Sequence, residues 1–115
     1  MTFPQIVASL AAAGIERYAV DFQQRTTTYF LPTGEALELA MHAVTTPVAP
    51  ALDAAALQAA IREAQQLVPG YTYRGFCEKA AAAGCAGYIV SLSGRRALYI
   101  ARTAETHVEL FPPAP

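Results

Sequence analysis

The chain has 115 residues, of which 54% are hydrophobic and 15% charged, and this balance excludes a disordered protein and predicts one soluble domain. Eight Lys and Arg against nine Asp and Glu give a net charge of -1, which argues against nucleic-acid or membrane-surface binding. No apolar run reaches the roughly 18 residues of a membrane span and residues 1–14 contain no Lys or Arg for a signal peptide, so we expect a cytoplasmic protein.

The first predicted element is a helix that ends at Gly14. Thr2 and Gln5 form a capping box at its start, and Gly14 is typical of a left-handed helix stop. Apolar residues recur at helical spacing and predict a buried stripe: Phe3, Ile6, Val7, Leu10 and Gly14.

A β-hairpin follows this helix. Tyr18, Val20 and Phe22 alternate with polar or small residues, as in a half-buried strand. A turn at residues 23–24 leads to a second strand at 25–31, and a short third strand is predicted at 36–40. Residues 2–40 therefore form a first helix–hairpin unit.

Residues 41–70 connect this unit to the rest of the chain. Residues 41–52 contain Pro47 and Pro50 and are typical of a loop. Asp53 can cap a helix that runs to about Gln66, and Pro69-Gly70 is typical of its end. The apolar stripe of this middle helix comprises Leu57, Ala60, Ile61, Ala64 and Val68.

Residues 71–111 repeat the pattern of the first unit. With an offset of 70 residues, Phe3 to Glu35 align with Tyr73 to Glu105 without a gap, and ten of the 33 pairs are identical. Such self-similarity predicts a duplicated unit. Its helix stripe comprises Tyr73, Phe76, Cys77, Ala80 and Gly84, and its strands are expected near 88–92, 95–101 and 106–110.

The fold class predicted from these elements is α+β. Two helix–hairpin units related by a pseudo-two-fold axis form an antiparallel sheet with helices packed on it, in one domain over 1–111. The pattern leaves open whether the two hairpins join into one sheet. The Pro-rich tail at 112–115 is expected to be disordered.

Hairpin parity predicts which strand residues share a face. Tyr18 and Tyr29 fall on one face, and the apolar side chains on that face are expected to form the core with the helix stripes. The opposite face carries Asp21, Thr26 and Thr28, a polar cluster that can bind a ligand or simply form a solvated surface.

The second unit differs from the first on that same opposite face. Ile89, Leu98 and Ile100 occupy it, and such aliphatic residues on adjacent strands need a cover. Two elements can cover these aliphatic side chains: the middle helix of this chain, or a second copy of the protein.

Arginines near the second hairpin turn are the other candidate binding residues. Arg95 and Arg96, together with Arg102, can bind an anion, or they can act as edge charges that discourage aggregation.

Residues with catalytic or metal-binding chemistry are few. Cys77 and Cys85 are too few for a disulfide framework, lack zinc spacing and fall in apolar positions, so buried reduced thiols are expected. His42 and His107 have no partners at ligand spacing, and no nucleotide fingerprint is present. We expect no catalytic residues, metal or cofactor.

Several packing motifs of the second unit are similar to those of a known family. They are Gln65-Gln66, Tyr71, Phe76-Cys77, Ala82-Ala83-Gly84, Tyr88-Ile89-Val90 and Leu98-Tyr99-Ile100. In this order they resemble the YdfO/YbcV family of small bacterial and prophage-encoded proteins. That resemblance implies an uncharacterised protein, often labelled a phage envelope protein, with no catalytic residues to transfer. Where the family tends to have Trp and Asp, this chain has Tyr88 and Ser91, and Asp21 alone retains the carboxylate.

The function expected from these observations is that of a small, non-enzymatic accessory or interaction protein, of prophage origin if the resemblance holds. The alternative is a domain that binds a small ligand or anion in the groove between the two units. The expected partner is an unidentified protein or a small molecule, and both a monomer and a homodimer are compatible with the pattern.

Overall fold

The computed structural model describes residues 3–111. Thr2 of the predicted capping box and the tail at 112–115 lie outside the described residues. Three helices and six strands occupy the described range: α1 (Phe3–Ala12), β1 (Arg17–Asp21), β2 (Thr26–Phe30), β3 (Ala36–Ala40), α2 (Ala54–Gln66), α3 (Tyr73–Ala82), β4 (Cys85–Ser91), β5 (Arg96–Ala101) and β6 (Thr106–Leu110).

All six strands form one antiparallel sheet in the order β3-β2-β1-β4-β5-β6. The two hairpins are therefore joined through β1 and β4 at the centre of the sheet, which answers the question left open by the sequence. This arrangement confirms the predicted α+β class.

One face of the sheet is aromatic, with the cross-strand pairing that hairpin parity predicts. Tyr18 lies opposite Tyr29, and Tyr88 lies opposite Tyr99. Their ring centroids are 5.8 Å and 5.3 Å apart, within the range of favourable aromatic pairs.

Helix α3 packs on this aromatic face. The ring centroid of Phe76 lies 6.4 Å from that of Tyr88 and 6.5 Å from that of Tyr99. Helix α2 in turn packs against α3 and buries Leu57, Ala60 and Ile61, the middle of its predicted stripe.

The ends of α2 follow from local chemistry. Asp53 caps its start as predicted, because the carboxylate Oδ1 accepts a hydrogen bond from Ala56 N at 3.0 Å. The helix ends at Leu67 in a left-handed conformation (φ 48°), two residues before the predicted Pro69-Gly70 stop. No helix within residues 3–111 has the length and hydropathy needed to cross a membrane.

The first and second hairpin turns have the same construction. Asp21 Oδ1 accepts a hydrogen bond from Gln24 N at 2.9 Å, and Ser91 Oγ accepts one from Gly94 N at 2.8 Å. Arg25 and Arg95 then adopt positive φ angles of 60° and 52°. The likeness is geometric, and an origin by duplication stays a prediction from the sequence.

The loop between β3 and α2 begins with a hydrogen bond from Met41 N to Arg25 O and then packs on the second half of the chain. The Glu78 carboxylate on α3 accepts hydrogen bonds from Thr45 N and Thr46 N at 2.9 and 2.8 Å. Arg102 Nη1 donates to Val48 O at 3.1 Å. This loop and α2 therefore complete the helical layer over β4 and β5.

Within residues 3–111, no second helix packs against α1 in the way that α2 packs against α3. Ile6 is 36% exposed, Leu37 and Leu39 on β3 are about half exposed, and Leu10 is half-buried. The expected burial of Ile6 is therefore wrong, because no second helix covers the first half of the layer. Tyr29 and Leu92 are half-buried, and the other predicted core residues are buried: Tyr18, Val20, Phe22, Phe76, Cys77, Ala80, Tyr88, Val90 and Tyr99.

Glu78 makes the stability of the fold sensitive to acid. Hydrogen bonds from the Thr46 hydroxyl and from the backbone N–H groups of Thr45 and Thr46 lower the pKa of Glu78 from 4.5 to about 2. The ionised carboxylate therefore stabilises the folded state above pH 4.5, and this contribution is lost as the pH falls toward 2. We expect Glu78→Gln to lower the melting temperature at pH 7 and to leave it nearly unchanged at pH 2.

Calorimetry across this pH range measures the effect. Glu63→Gln is the matched control, since Glu63 pairs only at the exposed surface with Lys79. If the melting temperature of Glu78→Gln changed with pH in the same way as that of the wild type, the role of the ionised Glu78 carboxylate would be contradicted.

Candidate functional site

The face of the sheet opposite the helices is the candidate site, and we call it the open face. Paired residues on neighbouring strands form three rows across it, each read from β3 to β6. The first row is Ala36, Phe30, Arg17, Ser91, Arg96 and Leu110; the middle row is Glu38, Thr28, Ala19, Ile89, Leu98 and Val108; the third row is Ala40, Thr26, Asp21, Gly87, Ile100 and Thr106.

The half of the open face on β4, β5 and β6 is aliphatic. Val108 and Leu110 are 45% and 63% exposed, and Ile89, Leu98 and Ile100 are half-buried. These five side chains lie outside the core, which occupies the other face. Helix α2 does not cover them because it packs on α3. The sequence left two candidates for covering these side chains, and the prediction that the chain's own middle helix covers them is therefore wrong.

The other half of the open face is polar and concave. A groove of about 310 Å³ lies between the two hairpins, and its lining brings together the predicted Asp21, Thr26 and Thr28. Glu38 on β3 lines it too, opposite Thr28. Glu38 is absent from the site residues predicted from the sequence, although hairpin parity extended to the third strand places it on this face. Ile89 and Ile100 form the apolar wall.

Asp21 lines the groove and also has a structural role in the β1–β2 turn. Its Oδ1 accepts hydrogen bonds from Gln23 N at 3.0 Å and Gln24 N at 2.9 Å, and so caps the β1–β2 turn. A substitution at this position must keep an acceptor if the turn is to be preserved. Ser91 fills the same task in the β4–β5 turn.

The predicted arginines do not join this groove. Because β4 runs antiparallel to β1, Arg96 lies in the first row and Asp21 in the third, which are about 13 Å apart along the strands. Arg96 Nε donates to Gly94 O, and the Arg95 guanidinium lies 5.5 Å from the centroid of the Phe111 ring. Arg102 donates to the loop carbonyl of Val48. The structure thus divides the predicted binding residues into two separate groups.

Both cysteines are buried, and neither thiol is activated as a nucleophile. Burial raises the pKa of Cys77 and of Cys85 to about 11, so both stay protonated at neutral pH. The Cys85 thiol donates to Gly87 O at 3.2 Å. This environment fits the predicted reduced structural thiols, and no group of three His, Cys, Asp or Glu within residues 3–111 is placed to hold a metal ion.

A pair of tyrosines makes a short polar contact on the helical side of the sheet. The hydroxyls of Tyr73 and Tyr88 are 2.6 Å apart, and burial raises the pKa of both well above the usual value. The His42 ring lies 5.9 Å from that of Tyr73, and its Nε2 is buried without a hydrogen-bond partner among the described residues. Two neutral phenols make a packing contact between α3 and β4 and supply no base.

Comparison with models of protein families gives a match. The model of a family described as a protein of unknown function (DUF1398) matches residues 1–109. No curated protein matches the chain. Because the matched segment spans nearly all of the sequence and all but two of the described residues, this chain belongs to the DUF1398 family.

Proposed function

We propose that this protein is a non-enzymatic interaction module that binds a protein partner through the open face of its sheet. The observation that carries the proposal is the one-sided helical layer. Helix α3, with α2 packed on it, covers the β4–β5 half of the aromatic face, whereas the open face of the same strands presents five aliphatic side chains to solvent or to a partner: Ile89, Leu98, Ile100, Val108 and Leu110.

The continuity of these side chains supports the proposal. Ile89, Leu98 and Val108 are direct neighbours in the middle row, on strands about 4.8 Å apart. Ile100 and Leu110 extend the patch to both ends of the strands. Soluble monomers seldom expose a contiguous apolar patch of more than a few hundred Å², and larger patches mark interaction sites.

Support for a non-enzymatic role comes from the state of the two thiols and of the His107 ring. The thiols of Cys77 and Cys85 are buried with raised pKa values. The His107 ring is engaged by Glu109, whose Oε1 lies 2.8 Å from Nε2. None of these groups lines the groove on the open face.

Site-specific photo-crosslinking in cells tests the proposal. With p-benzoylphenylalanine in place of Val108, we expect irradiation to yield one discrete adduct. Arg62, exposed on α2, is the matched control position and should yield none. Adding Leu98→Asp should abolish the adduct and leave the melting temperature within a few degrees, because Leu98 lies outside the core. Absence of a discrete adduct at position 108 would overturn the proposal.

A second candidate function is supported by the groove itself. Two carboxylates, Asp21 and Glu38, and the hydroxyls of Thr26 and Thr28 line it beside an apolar wall. Among the small ligands and anions expected from the sequence, this chemistry favours a small cation with an apolar part, such as an alkyl amine, over an anion. Thermal-shift measurements with alkyl diamines and with inorganic phosphate distinguish a cation site from an anion site, because only the ligand that binds raises the melting temperature. Asp21→Ser, which keeps a turn acceptor, should remove any shift caused by the amine.

The YdfO/YbcV resemblance adds a biological setting to the proposal. A prophage origin is compatible with a small interaction module that acts on another protein. It rests on the similar packing motifs alone, such as Ala82-Ala83-Gly84 and Leu98-Tyr99-Ile100.

A further inference from the structure

We infer that the partner on the open face is a second copy of this chain, packed face to face about a two-fold axis along the middle row. This inference rests on the proposed function and names its partner. In such a dimer, each strand crosses over its own counterpart, and the first row of one copy lies over the third row of the other.

The charges on the open face are arranged to suit this symmetry. Arg17 lies in the first row of β1 and Asp21 in its third row, whereas Arg96, in the first row of β5, falls over Ile100 of the other copy. An axis along the middle row exchanges these two rows. It places Arg17 of each copy opposite Asp21 of the other, so two opposite-charge pairs form on the central strands.

The Arg17 side chain is already held in position for such a contact. Its guanidinium carbon lies 3.8 Å from the centroid of the Phe30 ring in the same row. Its ion pair with Glu16 is long, at 3.8 Å, and the Arg17 side chain is 42% exposed. Arg17 can therefore approach an acidic group above the face without giving up a short salt bridge.

The aliphatic residues are self-complementary under the same axis. Ile89, Leu98 and Val108 lie in the middle row, so each meets its own counterpart across the axis. No charged side chain lies between them in that row. Glu38, the one charge in the middle row, is at the outer strand β3, and a rotation of about 30° between stacked sheets separates it from its counterpart by the same distance as Val108 at the opposite outer strand.

The size of the face is compatible with a specific dimer. Six strands about 4.8 Å apart, each about 17 Å long, give a face of roughly 29 by 17 Å. Two such faces remove on the order of 1,000 Å² from solvent, the lower bound for a specific interface. Both halves of the face must therefore take part, which agrees with charge pairs beside an aliphatic patch.

Charge exchange between two variants tests the arrangement. Sedimentation of the wild type should give twice the 12.2 kDa chain mass. Arg17→Asp gives a copy with acidic groups at both crossing positions, and Asp21→Arg gives a copy with basic groups at both. Each variant alone should dimerise at least about tenfold more weakly, and an equimolar mixture should form a heterodimer of near wild-type affinity.

Loss of the turn cap is a separate effect of Asp21→Arg, and Asp21→Ser controls for it. Serine caps the equivalent turn at position 91, so Asp21→Ser should keep the melting temperature and still weaken the dimer. If the mixture forms no heterodimer although the wild type is dimeric, the two-fold arrangement is wrong.

The crosslink at position 108 separates this inference from the proposed function. An adduct of twice the chain mass supports the second copy. A discrete adduct of another mass, or a monomeric wild type at about 100 µM, overturns the second copy and leaves the interaction module standing. Absence of any discrete adduct overturns both.

Discussion

Replacing Gly84 by Ala is expected to destabilise the protein by about 2–5 kcal/mol, whereas Gly14→Ala is expected to cost only about 1–2 kcal/mol. Both glycines end a helix with a positive φ, of 91° and 83°, so both substitutions carry the strain of a left-handed Ala. They differ in their surroundings. A Cβ on Gly84 would lie 2.1 Å from Ala51 O, whereas one on Gly14 meets only Leu31 Cδ2 at 4.0 Å.

The loop cannot easily move away from a Cβ at position 84, because the atom that this Cβ meets belongs to the loop backbone. Asp53 N donates to Ala83 O at 2.8 Å, and Ala49 N donates to Ala81 O at 3.0 Å, so the loop is held against the end of α3. Urea unfolding of the two variants measures the difference. Equal losses of stability would show that the loop moves away at little cost, contrary to the expectation.

Phe76→Ala is expected to cost about 3–5 kcal/mol, and Ile6→Ala less than about 1 kcal/mol. The two positions correspond in the sequence alignment of the two halves, and each lies on the apolar stripe of its helix. Phe76 is 7% exposed between α3 and the rings of Tyr88 and Tyr99, so its loss leaves a cavity. Ile6 is 36% exposed and leaves none of comparable size.

Chemical unfolding with a common slope for both variants tests this contrast. Phe76→Leu serves as the conservative control and should recover most of the stability, because it refills much of the volume. A cost at Ile6 that equals the cost at Phe76 would mean that α1 is packed as tightly as α3, against the exposure of its stripe.

Several elements were predictable because their determinants are local. The third strands at 36–40 and 106–110 and the Asp53 cap were predicted with the bounds that the structure has. Alternation of side chains along a strand, together with the length of the turn, determines which residues of a hairpin share a face. The pairing of Tyr18 with Tyr29 and the grouping of Asp21 with Thr26 and Thr28 follow from this rule.

Other features depend on contacts between distant segments. The pairing of β1 with β4 has no local signature, yet it sets the distance between Asp21 and Arg96 and so divides the predicted binding residues. The place of α2 on α3 is of the same kind, since its stripe fits an apolar helix as well as the open face. Only the assembled layers show that Ile6 is left partly exposed.

By itself, the sequence determined the α+β class, the helix–hairpin order and the chemical contrast between the two ends of the open face. These depend on periodicity, capping and turns, which act over a few residues. Tertiary structure alone decided that the hairpins share one sheet, that the middle helix packs against α3 and that no helix within residues 3–111 covers the aliphatic patch. The physical reason is that an apolar stripe specifies burial without specifying the surface that buries it.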